Sequence, residues 1–312
     1  MDTLPKINYH QLMDLRVDYA FKIFATQNPH LLMSLLNAIF ANKSTGRVIT
    51  DLTIRNPYLE KSHPDDKLSI LDIRAQLEDG TAVLIEMHLY GLGELKAKTI
   101  RSWARAYSEE LTPGDHYTDQ PPTIAITFAD GPINALSPDG EEKIHRLCMI
   151  MDRDDHTIFT DAMELHYIDM KAFAKAMNQH GHTAQEAMFT HWLSLITQKE
   201  IADKTYIDVA YQSKEEIKMA VNALEMLSDD KIARQAYQRR QDEVYFYNKG
   251  MFELNQYKQL AKQQEQRARQ QEQRAKQQEQ LAKQQGQRAE QAETEITALR
   301  QQLAQLQAQL AK

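Results

Sequence analysis

The most informative part of the sequence is Leu71-Asp-Ile-Arg-Ala-Gln-Leu-Glu-Asp-Gly-Thr-Ala-Val-Leu-Ile-Glu-Met-His88, in which two apolar runs flank a Glu-Asp-Gly turn signal. This pattern predicts a β-hairpin. If the hairpin is centred near Asp79, the numbers of paired residues sum to about 158, which places Asp72 opposite Glu86 on one face of the sheet. His88 follows Glu86 by two residues, so strand alternation points it to the same face.

Two carboxylates opposite each other destabilise a sheet unless something compensates their charge. The simplest compensation is a divalent cation bound by carboxylate oxygens, and such hard ligands favour Mg²⁺ or Mn²⁺ over zinc. Both strands are apolar on more than one face, as is typical of strands buried on both sides, where an uncompensated carboxylate is costly. A solvent-facing Asp and Glu on an ordinary hairpin is the alternative. We interpret Asp72 and Glu86 as a metal site.

Further blocks of sequence accompany the hairpin over roughly residues 12 to 250. They are Asp18-Tyr-Ala-Phe-Lys-Ile-Phe24, Leu35-Leu-Asn-Ala-Ile-Phe40, Lys67 before Leu71-Asp-Ile-Arg-Ala75, Ile85-Glu-Met87 and Leu165-His-Tyr-Ile-Asp169. Together they resemble the Rpn family of recombination-promoting nucleases and putative transposases, which have a PD-(D/E)xK active site. The resemblance implies a restriction-endonuclease-like fold in which Asp72 and Glu86 hold Mg²⁺ and position water for hydrolysis of a DNA phosphodiester bond.

Two candidate site residues have alternative interpretations. The family usually reads Ile-Glu-Met-Gln where this chain has His88, so His88 either takes part in catalysis as a metal ligand or proton acceptor, or is a neutral side chain hydrogen-bonded to the hairpin. The resemblance implies that Asp18 is an outer-shell acid of the site. A helix cap or a surface charge is the simpler role for Asp18.

The segment 94–111 predicts a helix that follows the Glu86 strand. Its predicted buried face consists of Ile100, Trp103, Tyr107 and Leu111. Its opposite face carries Lys98, Arg101 and Arg105. Arg101 matches an arginine that the family tends to carry. This basic stripe either contacts DNA phosphates or is simply solvated.

The wider pattern predicts an α/β fold with the order α-β-β-β-α-β, a mixed sheet and helices on its faces. The predicted elements are a helical region at 12–42, strands at 48–59, 68–77, 81–90 and 123–128, the helix at 94–111 and a strand at 165–170, with helices from residue 171 onward. The single cysteine, Cys148, lies in an apolar run and is expected in the core.

From Tyr257 the composition changes to Gln, Ala, Glu, Lys and Arg with a period of seven. We therefore expect a nuclease-like domain at 1–255, with a helical C-terminal part, and a Gln-rich coiled coil at 256–312. Position a of the heptad is held by Ala261, Ala268, Ala275, Ala282, Ala289, Ile296, Leu303 and Leu310. The expected interchain g–e pairs are opposite in charge, which favours a parallel homo-oligomer, strongest over 289–310. A lone helix or a disordered tail is the alternative.

Charge is divided unevenly along the chain. Residues 257–312 contain ten Lys/Arg and six Asp/Glu, while the remaining residues contain 27 and 38. The chain outside residues 257–312 is therefore acidic overall, and any contacts with DNA have to come from a local basic patch. No run of 18 apolar residues is present, and the first residues lack the pattern of a secretory signal, so we expect a cytoplasmic location without a membrane segment.

These observations support two hypotheses. The first is a Mg²⁺-dependent (or Mn²⁺-dependent) DNA endonuclease associated with recombination or mobile elements. The second is a catalytically inactive nuclease-fold protein that acts as a coiled-coil interaction or regulatory module. Retention of both carboxylates favours the first, whereas His88 and the long tail are compatible with the second.

Overall fold

A computed structural model describes residues 7–55, 73–89, 94–111, 114–131, 143–180 and 187–310. The strands are β1 (Leu52–Arg55), β2 (Ile73–Leu77), β3 (Ala82–His88), β4 (Thr123–Ala129), β5 (His145–Met151) and β6 (Ile158–Asp169). The helices are α1 (Asp18–Gln27), α2 (Pro29–Asn42), α3 (Leu95–Glu109), α4 (Met170–His180), α5 (Met188–Ile196), α6 (Thr205–Ser213), α7 (Glu215–Asp229) and α8 (Lys231–Leu310), with a short 3₁₀ helix at Tyr117–Asp119.

The strands form one mixed sheet in the order β1-β2-β3-β4-β6-β5. Strands β1, β2 and β3 pair antiparallel, β3, β4 and β6 pair parallel, and β5 runs antiparallel to β6. The three parallel strands end level with one another, at His88, Ala129 and Asp169. The predicted mixed α/β architecture and its α-β-β-β-α-β order are confirmed.

The register of the β2–β3 hairpin agrees with the prediction from its sequence. Ile73 pairs with Ile85 and Gln76 pairs with Ala82, so the numbers of paired residues sum to 158. Asp72, the other carboxylate of the predicted site, lies outside the described residues.

The hairpin turn is built by Asp79 and Gly80. Leu77 N donates to Thr81 O at 2.9 Å, and Thr81 N donates to the Asp79 side chain at 2.9 Å. Gly80 has a φ of +86°, in the left-handed region that glycine adopts without steric cost. The turn therefore requires glycine at this position, and it holds the strands in the register that places Glu86 near the end of β3.

The central strands are buried on both faces of the sheet, as their apolar sequences predict. Alternate residues of β3 face different helices: Val83 and Ile85 join the large core that includes residues of α1, α2, α5 and α7, whereas Leu84 joins a smaller core with α3. All seven residues of β4 are buried. Glu86 has the same parity as Leu84, so it lies on the α3 face.

Strand β5 was not predicted, and the expected burial of Cys148 is wrong. Cys148 is exposed. It belongs to β5, the last strand in the order of the described sheet, where one long side of the strand has no neighbouring strand. An apolar run at such a position can form a strand without entering the core.

The chain divides into two compact units, Met1–Val244 and Tyr245–Lys312. The division falls within α8. Within the described part of the chain, no helix is both long enough and apolar enough to cross a membrane.

Candidate active site

Glu86 is a buried carboxylate near the end of β3, with only 4% of its surface exposed. The residue before it, Ile85, faces the large core, so Glu86 points to the opposite face of the sheet. A carboxylate at this depth costs free energy unless its charge and both of its oxygens find partners. The groups that contact Glu86 therefore indicate which kind of ligand the site can bind.

The two oxygens of Glu86 differ in their surroundings. Oε2 lies 2.7 Å from Nε2 of His88, so strand alternation brings these two side chains into contact. Oε1 is buried and has no hydrogen-bond partner among the residues that the structure describes. Unpaired buried polar atoms are rare in folded proteins, and many of them bind an ion or an ordered water. Glu86 is thus half-satisfied, with one oxygen open.

A second Glu-x-His pair, on β6, shows the same two residue types with all partners in place. Glu164 Oε2 lies 3.4 Å from Nε2 of His166, and Oε1 lies 3.5 Å from the guanidinium of Arg47. Burial acts to raise the pKa of Glu164, but the hydrogen bond with His166 and the charge of Arg47 together lower it. Glu164 is therefore a satisfied internal carboxylate, unlike Glu86.

The buried His145 and the exposed Asn42 extend this second pair. His145 Nε2 lies 3.0 Å from Nδ1 of His166, and Asn42 Nδ2 lies 2.8 Å from Nδ1 of His145. Desolvation lowers the pKa of His145 to about 2, and the charges of His166 and Lys43 act in the same direction. His145 is therefore neutral at physiological pH.

A row of hydroxyl groups lies beside Glu86 across the sheet. Glu86 pairs in register with Thr127 of β4, and Thr127 pairs with Tyr167 of β6. Thr99 of α3 shares a 3.2 Å hydrogen bond with the Thr127 hydroxyl. Burial raises the pKa of Tyr167 and the charge of Glu86 adds to this, while a hydrogen bond with Thr99 opposes it. Tyr167 therefore stays protonated beside the carboxylate.

None of these three hydroxyl residues was predicted as part of the site. Tyr167 lies in the block Leu165–Asp169 that supported the family resemblance, which is the one sequence signal that could have identified it. Thr99 and Thr127 carry only the weak signal of a polar residue within an apolar pattern. Their proximity to Glu86 depends on strand order, which short-range patterns do not specify.

Arg74 of β2 fixes α3 over the hairpin. Its guanidinium donates to Glu109 Oε2 at 2.9 Å and to Glu110 Oε1 at 2.6 Å. Arg55 of β1 donates to the other oxygen of Glu110, also at 2.9 Å. Since the Glu110 carboxylate is held by two arginines from two strands, the C-terminal end of α3 is tied to β1 and β2 on the face that carries Glu86.

The basic residues predicted on α3 are located on its outer side. Lys98 and Arg101 are exposed and Arg105 is partly buried. Lys98 Nζ lies 3.6 Å from Glu94, and Arg105 Nε donates to Glu109 at 3.0 Å. Lys98 and Arg105 thus already have carboxylate partners in the chain itself, and their contact with DNA stays a prediction.

The predicted buried face of α3 is wrong in one respect. Ile100 is 48% exposed, and the fully buried residues of the helix are Leu95, Thr99 and Ala106. Trp103 is partly buried and donates from Nε1 to the Thr123 carbonyl at 2.8 Å. The helix is rotated relative to the prediction, and Thr99 and Trp103 make polar contacts with β4 that hydrophobic periodicity does not predict.

Asp18 is bound by an arginine far away in the sequence. Arg240 Nε donates to Oδ1 at 3.0 Å and Nη2 donates to Oδ2 at 2.5 Å. Asp18 Oδ1 also accepts from the backbone N–H of Tyr19 at 2.8 Å. Both oxygens of Asp18 are thus occupied within the fold, and its role as an outer-shell acid stays a prediction.

Asp72 directly precedes β2 and lies outside the described residues. Within the described ranges, no group of three or more His, Cys, Asp or Glu side chains is arranged to hold a metal ion. Of the predicted metal ligands, these ranges contain Glu86. Its Oε2 contacts His88, and its Oε1 has no hydrogen-bond partner among the described residues.

Comparison with known protein families gives a match over most of the chain. A family model described as PD-(D/E)XK nuclease family transposase matches residues 15–249. A search of the curated proteins and a search of the solved structures found no match. The matched range includes Glu86, His88 and all six strands of the sheet.

Proposed function

Because the chain belongs to the PD-(D/E)XK nuclease family transposases, we propose that it is a Mg²⁺-dependent or Mn²⁺-dependent DNA endonuclease that acts in recombination or in mobile elements. Family membership alone supports a nuclease associated with mobile elements. The observation that carries the finer proposal is the buried Oε1 of Glu86 near the end of β3, which has no hydrogen-bond partner among the described residues.

The residues present fit a hard divalent cation. PD-(D/E)XK nucleases generally use divalent metals, and carboxylate oxygens are the ligands that Mg²⁺ and Mn²⁺ prefer. Glu86 would hold the ion through Oε1. Asp72 would supply the second carboxylate, since it directly precedes Ile73, whose register partner Ile85 directly precedes Glu86. When bound, the cation supplies a water of lowered pKa and offsets charge that develops on the phosphate.

His88 has two tasks in this proposal. Its contact with Oε2 orients the Glu86 carboxylate so that Oε1 remains available. In the tautomer whose Nε2–H donates to Glu86, Nδ1 is left as an acceptor for the proton of the attacking water. Glu86 is only 4% exposed, which limits competition from bulk water for the carboxylate.

The DNA strand is proposed to contact the basic stripe of α3. Lys98 and Arg101 are exposed. Arg105 lies about two helical turns after Lys98 and about one turn after Arg101. Flexible Lys and Arg side chains can exchange a surface carboxylate for a phosphate at little cost, because exposed ion pairs are weak. These residues would position the backbone without reading its sequence.

We also propose that the tail, residues 256–312, forms a parallel homo-oligomer beyond the nuclease-like domain at 1–255. Ile296, Leu299 and Leu303 occupy heptad positions a, d and a, and each is about half exposed on the helix. Burial of such a seam against a second copy is what stabilises a coiled coil. Two copies would bring two active sites to one DNA molecule.

Within the single chain, two glutamates at position e are already paired. Glu265 accepts from Arg269 and Glu272 accepts from Lys276, both at 2.6 Å. These exposed intrahelical pairs are individually weak. They compete with the expected interchain pairs, so the apolar seam rather than charge has to supply most of the association energy.

The proposed function is tested by nicking of supercoiled plasmid by the purified full chain with Mg²⁺ or Mn²⁺. Glu86→Gln and Asp72→Asn are expected to abolish nicking, and EDTA to abolish it in the wild type. Glu164→Gln is the matched control, because it changes a buried Glu-x-His carboxylate that already has an arginine partner. Its folded fraction should nick at the wild-type rate.

The outcomes separate the two hypotheses. Metal-dependent nicking that is lost in Glu86→Gln and retained in Glu164→Gln supports the endonuclease. A folded wild-type protein that cleaves no form of DNA with either metal would refute catalysis. It would favour the alternative of an inactive nuclease fold that works through its coiled coil.

A further inference from the structure

The tail carries a row of four cations that repeats every seven residues. We call this row, at heptad position b, the tail stripe: Lys262, Arg269, Lys276 and Lys283. All four side chains are exposed on α8. In a coiled coil, positions a and d form the seam, and positions b, c and f face outward. Positions c and f between residues 261 and 288 are all glutamine, so the outward surface of this segment carries positive charge and no negative charge.

The tail stripe follows one side of a continuous helix. Because α8 rises about 1.5 Å per residue, neighbouring cations of the stripe are about 10.5 Å apart and the whole row spans about 32 Å. A straight α-helix drifts by about 20° per heptad, which keeps the four positions within about 60° of one another. A span of about 32 Å is close to one turn of B-DNA, which carries about 19 phosphates over that length.

The segment that contains the tail stripe has a surplus of positive charge. Residues 261–288 contain seven Lys/Arg and three Glu, so the glutamates cannot pair one to one with all of the cations. Residues 289–312 contain two Lys/Arg and three Glu, and the chain before residue 257 contains 27 and 38. The surplus is therefore confined to the part of the tail that lies before the apolar seam.

The glutamates that contact the tail stripe can release it at little cost. Glu265 accepts from Arg269 and Glu272 accepts from Lys276, both at 2.6 Å, and these four side chains are between 62% and 75% exposed. Ion pairs this exposed are weak. In the expected parallel coiled coil, Glu272 also faces Arg267 of a second copy, so association makes Lys276 available to another anion.

We propose that the tail stripe binds the phosphate backbone of DNA. The inference rests on the proposed function for the identity of the polyanion, and it adds a DNA-binding surface outside the nuclease-like domain. A duplex carries one negative charge per about 1.7 Å, whereas an extended polypeptide carries at most one per about 3.3 Å, so DNA is favoured over an acidic protein. Contacts with phosphates contribute affinity without sequence preference.

The test is a titration of a fluorescein-labelled duplex with the full chain, followed by anisotropy in EDTA so that no cleavage occurs. The stripe variant replaces all four cations by glutamine, which has a similar helix propensity. Its substitutions are Lys262→Gln, Arg269→Gln, Lys276→Gln and Lys283→Gln. Equal circular dichroism of the wild type and the stripe variant checks that the helix is retained.

Two further variants separate the position of the charge from its amount. The exchanged variant keeps the charge of the tail stripe and alters its side chains, through Lys262→Arg, Arg269→Lys, Lys276→Arg and Lys283→Arg. The control variant removes the same number of exposed cations outside the tail, through Lys171→Gln, Lys175→Gln, Lys218→Gln and Lys231→Gln.

The salt dependence of binding gives the expected magnitude. Each phosphate contact contributes about 0.9 to the slope of log affinity against log salt concentration. If two to four cations of the stripe contact phosphates at once, the slope of the stripe variant should be smaller by about 1.8–3.6. Raising salt from 50 to 200 mM should then weaken this variant about 12- to 150-fold less than the wild type. The exchanged and control variants should keep the wild-type slope.

The outcomes distinguish the inference from the proposed function. An unchanged slope in the stripe variant overturns the inference, whether or not the wild type nicks plasmid. Stripe-dependent binding by a wild type that nicks no DNA supports the inference and refutes the endonuclease. An equal change of slope in the control variant overturns the inference, because net charge would account for it. Displacement of the duplex by poly-L-glutamate at an equal concentration of charges overturns DNA as the partner and favours an acidic protein.

A second measurement uses the wild type alone, so it does not depend on the folding of a variant. Trypsin cleaves after Lys and Arg, and the exposed Arg300 on the same helix serves as an internal control. Saturating duplex should slow cleavage after the four residues of the tail stripe more than cleavage after Arg300, as measured by mass spectrometry, and high salt should remove the difference. Equal rates with and without bound duplex at the stripe overturn the inference.

Discussion

Replacement of Glu86 by Met should stabilise the metal-free protein while abolishing its activity. The carboxylate is 4% exposed, and its Oε1 has no partner among the described residues. Leaving a buried polar group unsatisfied costs about 1–3 kcal/mol, and more when it is charged. His88 would lose its partner, but it is partly exposed and can bond to water instead. We therefore expect the free energy of unfolding of Glu86→Met to rise by about 1–3 kcal/mol in EDTA.

The matched substitution Glu164→Met should act in the opposite direction. It removes a carboxylate whose oxygens both have partners, and it leaves the charge of Arg47 without its buried counterion. Breaking a buried pair costs about 3–5 kcal/mol, but Arg47 also contacts Asp79 at 3.0 Å, so we expect about 2 kcal/mol of destabilisation. Two chemically similar Glu-x-His pairs thus give opposite signs.

The assay is urea unfolding in EDTA at pH 7, followed by tryptophan fluorescence. The two tryptophans, Trp103 and Trp192, both belong to the unit Met1–Val244, so the signal reports that unit. Adding Mg²⁺ should raise the unfolding midpoint of the wild type and of Glu164→Met but not of Glu86→Met. A Glu86→Met variant that is destabilised as much as Glu164→Met would refute the reasoning, because it would make Glu86 a structural carboxylate.

Three further predictions concern pH, the turn and the tail. His145 is neutral in the folded protein, whereas in the unfolded chain it binds a proton below about pH 6.5. Its contribution to the free energy of unfolding is therefore complete above pH 6.5 and is lost as the pH falls. The wild type should lose about 2 kcal/mol relative to His145→Gln between pH 6.5 and 5, and a difference that does not change with pH would contradict this. Gly80→Ala should cost about 1 kcal/mol in urea unfolding because of its φ of +86°, and an unaltered midpoint would show that the turn can relax. Leu299→Asp should convert an oligomer to a monomer in sedimentation equilibrium while Gln301→Asp does not, and equal masses for both would argue against the seam.

The hairpin shows how far local sequence can predict this fold. The Asp79-Gly80 turn and the apolar alternation on either side specify the register of β2 and β3 and the shared face of Glu86 and His88, because both depend on residues close together in the chain. The order of the sheet does not follow in this way. Strand β6 pairs between β4 and β5, and the pairing of β6 with β4 joins residues far apart in the sequence. Local patterns therefore do not predict that Tyr167 lies near Glu86.

Charged groups were the hardest to place from the sequence. Asp18 and Arg240 are separated by 222 residues, and no pattern near either one predicts their ion pair. The helical spacing of the large apolar residues predicts that Ile100 lies on the buried face of α3. The helix instead packs through Leu95, Thr99 and Ala106, and Thr99 shares a hydrogen bond with Thr127 of β4. Hydrophobic periodicity does not predict a polar contact of this kind.

The common end of β3, β4 and β6 has a consequence for how this protein can diversify. Three times the chain leaves the sheet at the same edge, after His88, Ala129 and Asp169, close to the buried carboxylate of Glu86. Insertions or substitutions after His88 and Ala129 would change what surrounds a bound substrate while the packed strands remain untouched, whereas β6 continues directly into α4 at the buried Met170. Related proteins can therefore acquire different target preferences by altering a few connecting residues, with no need to redesign the core.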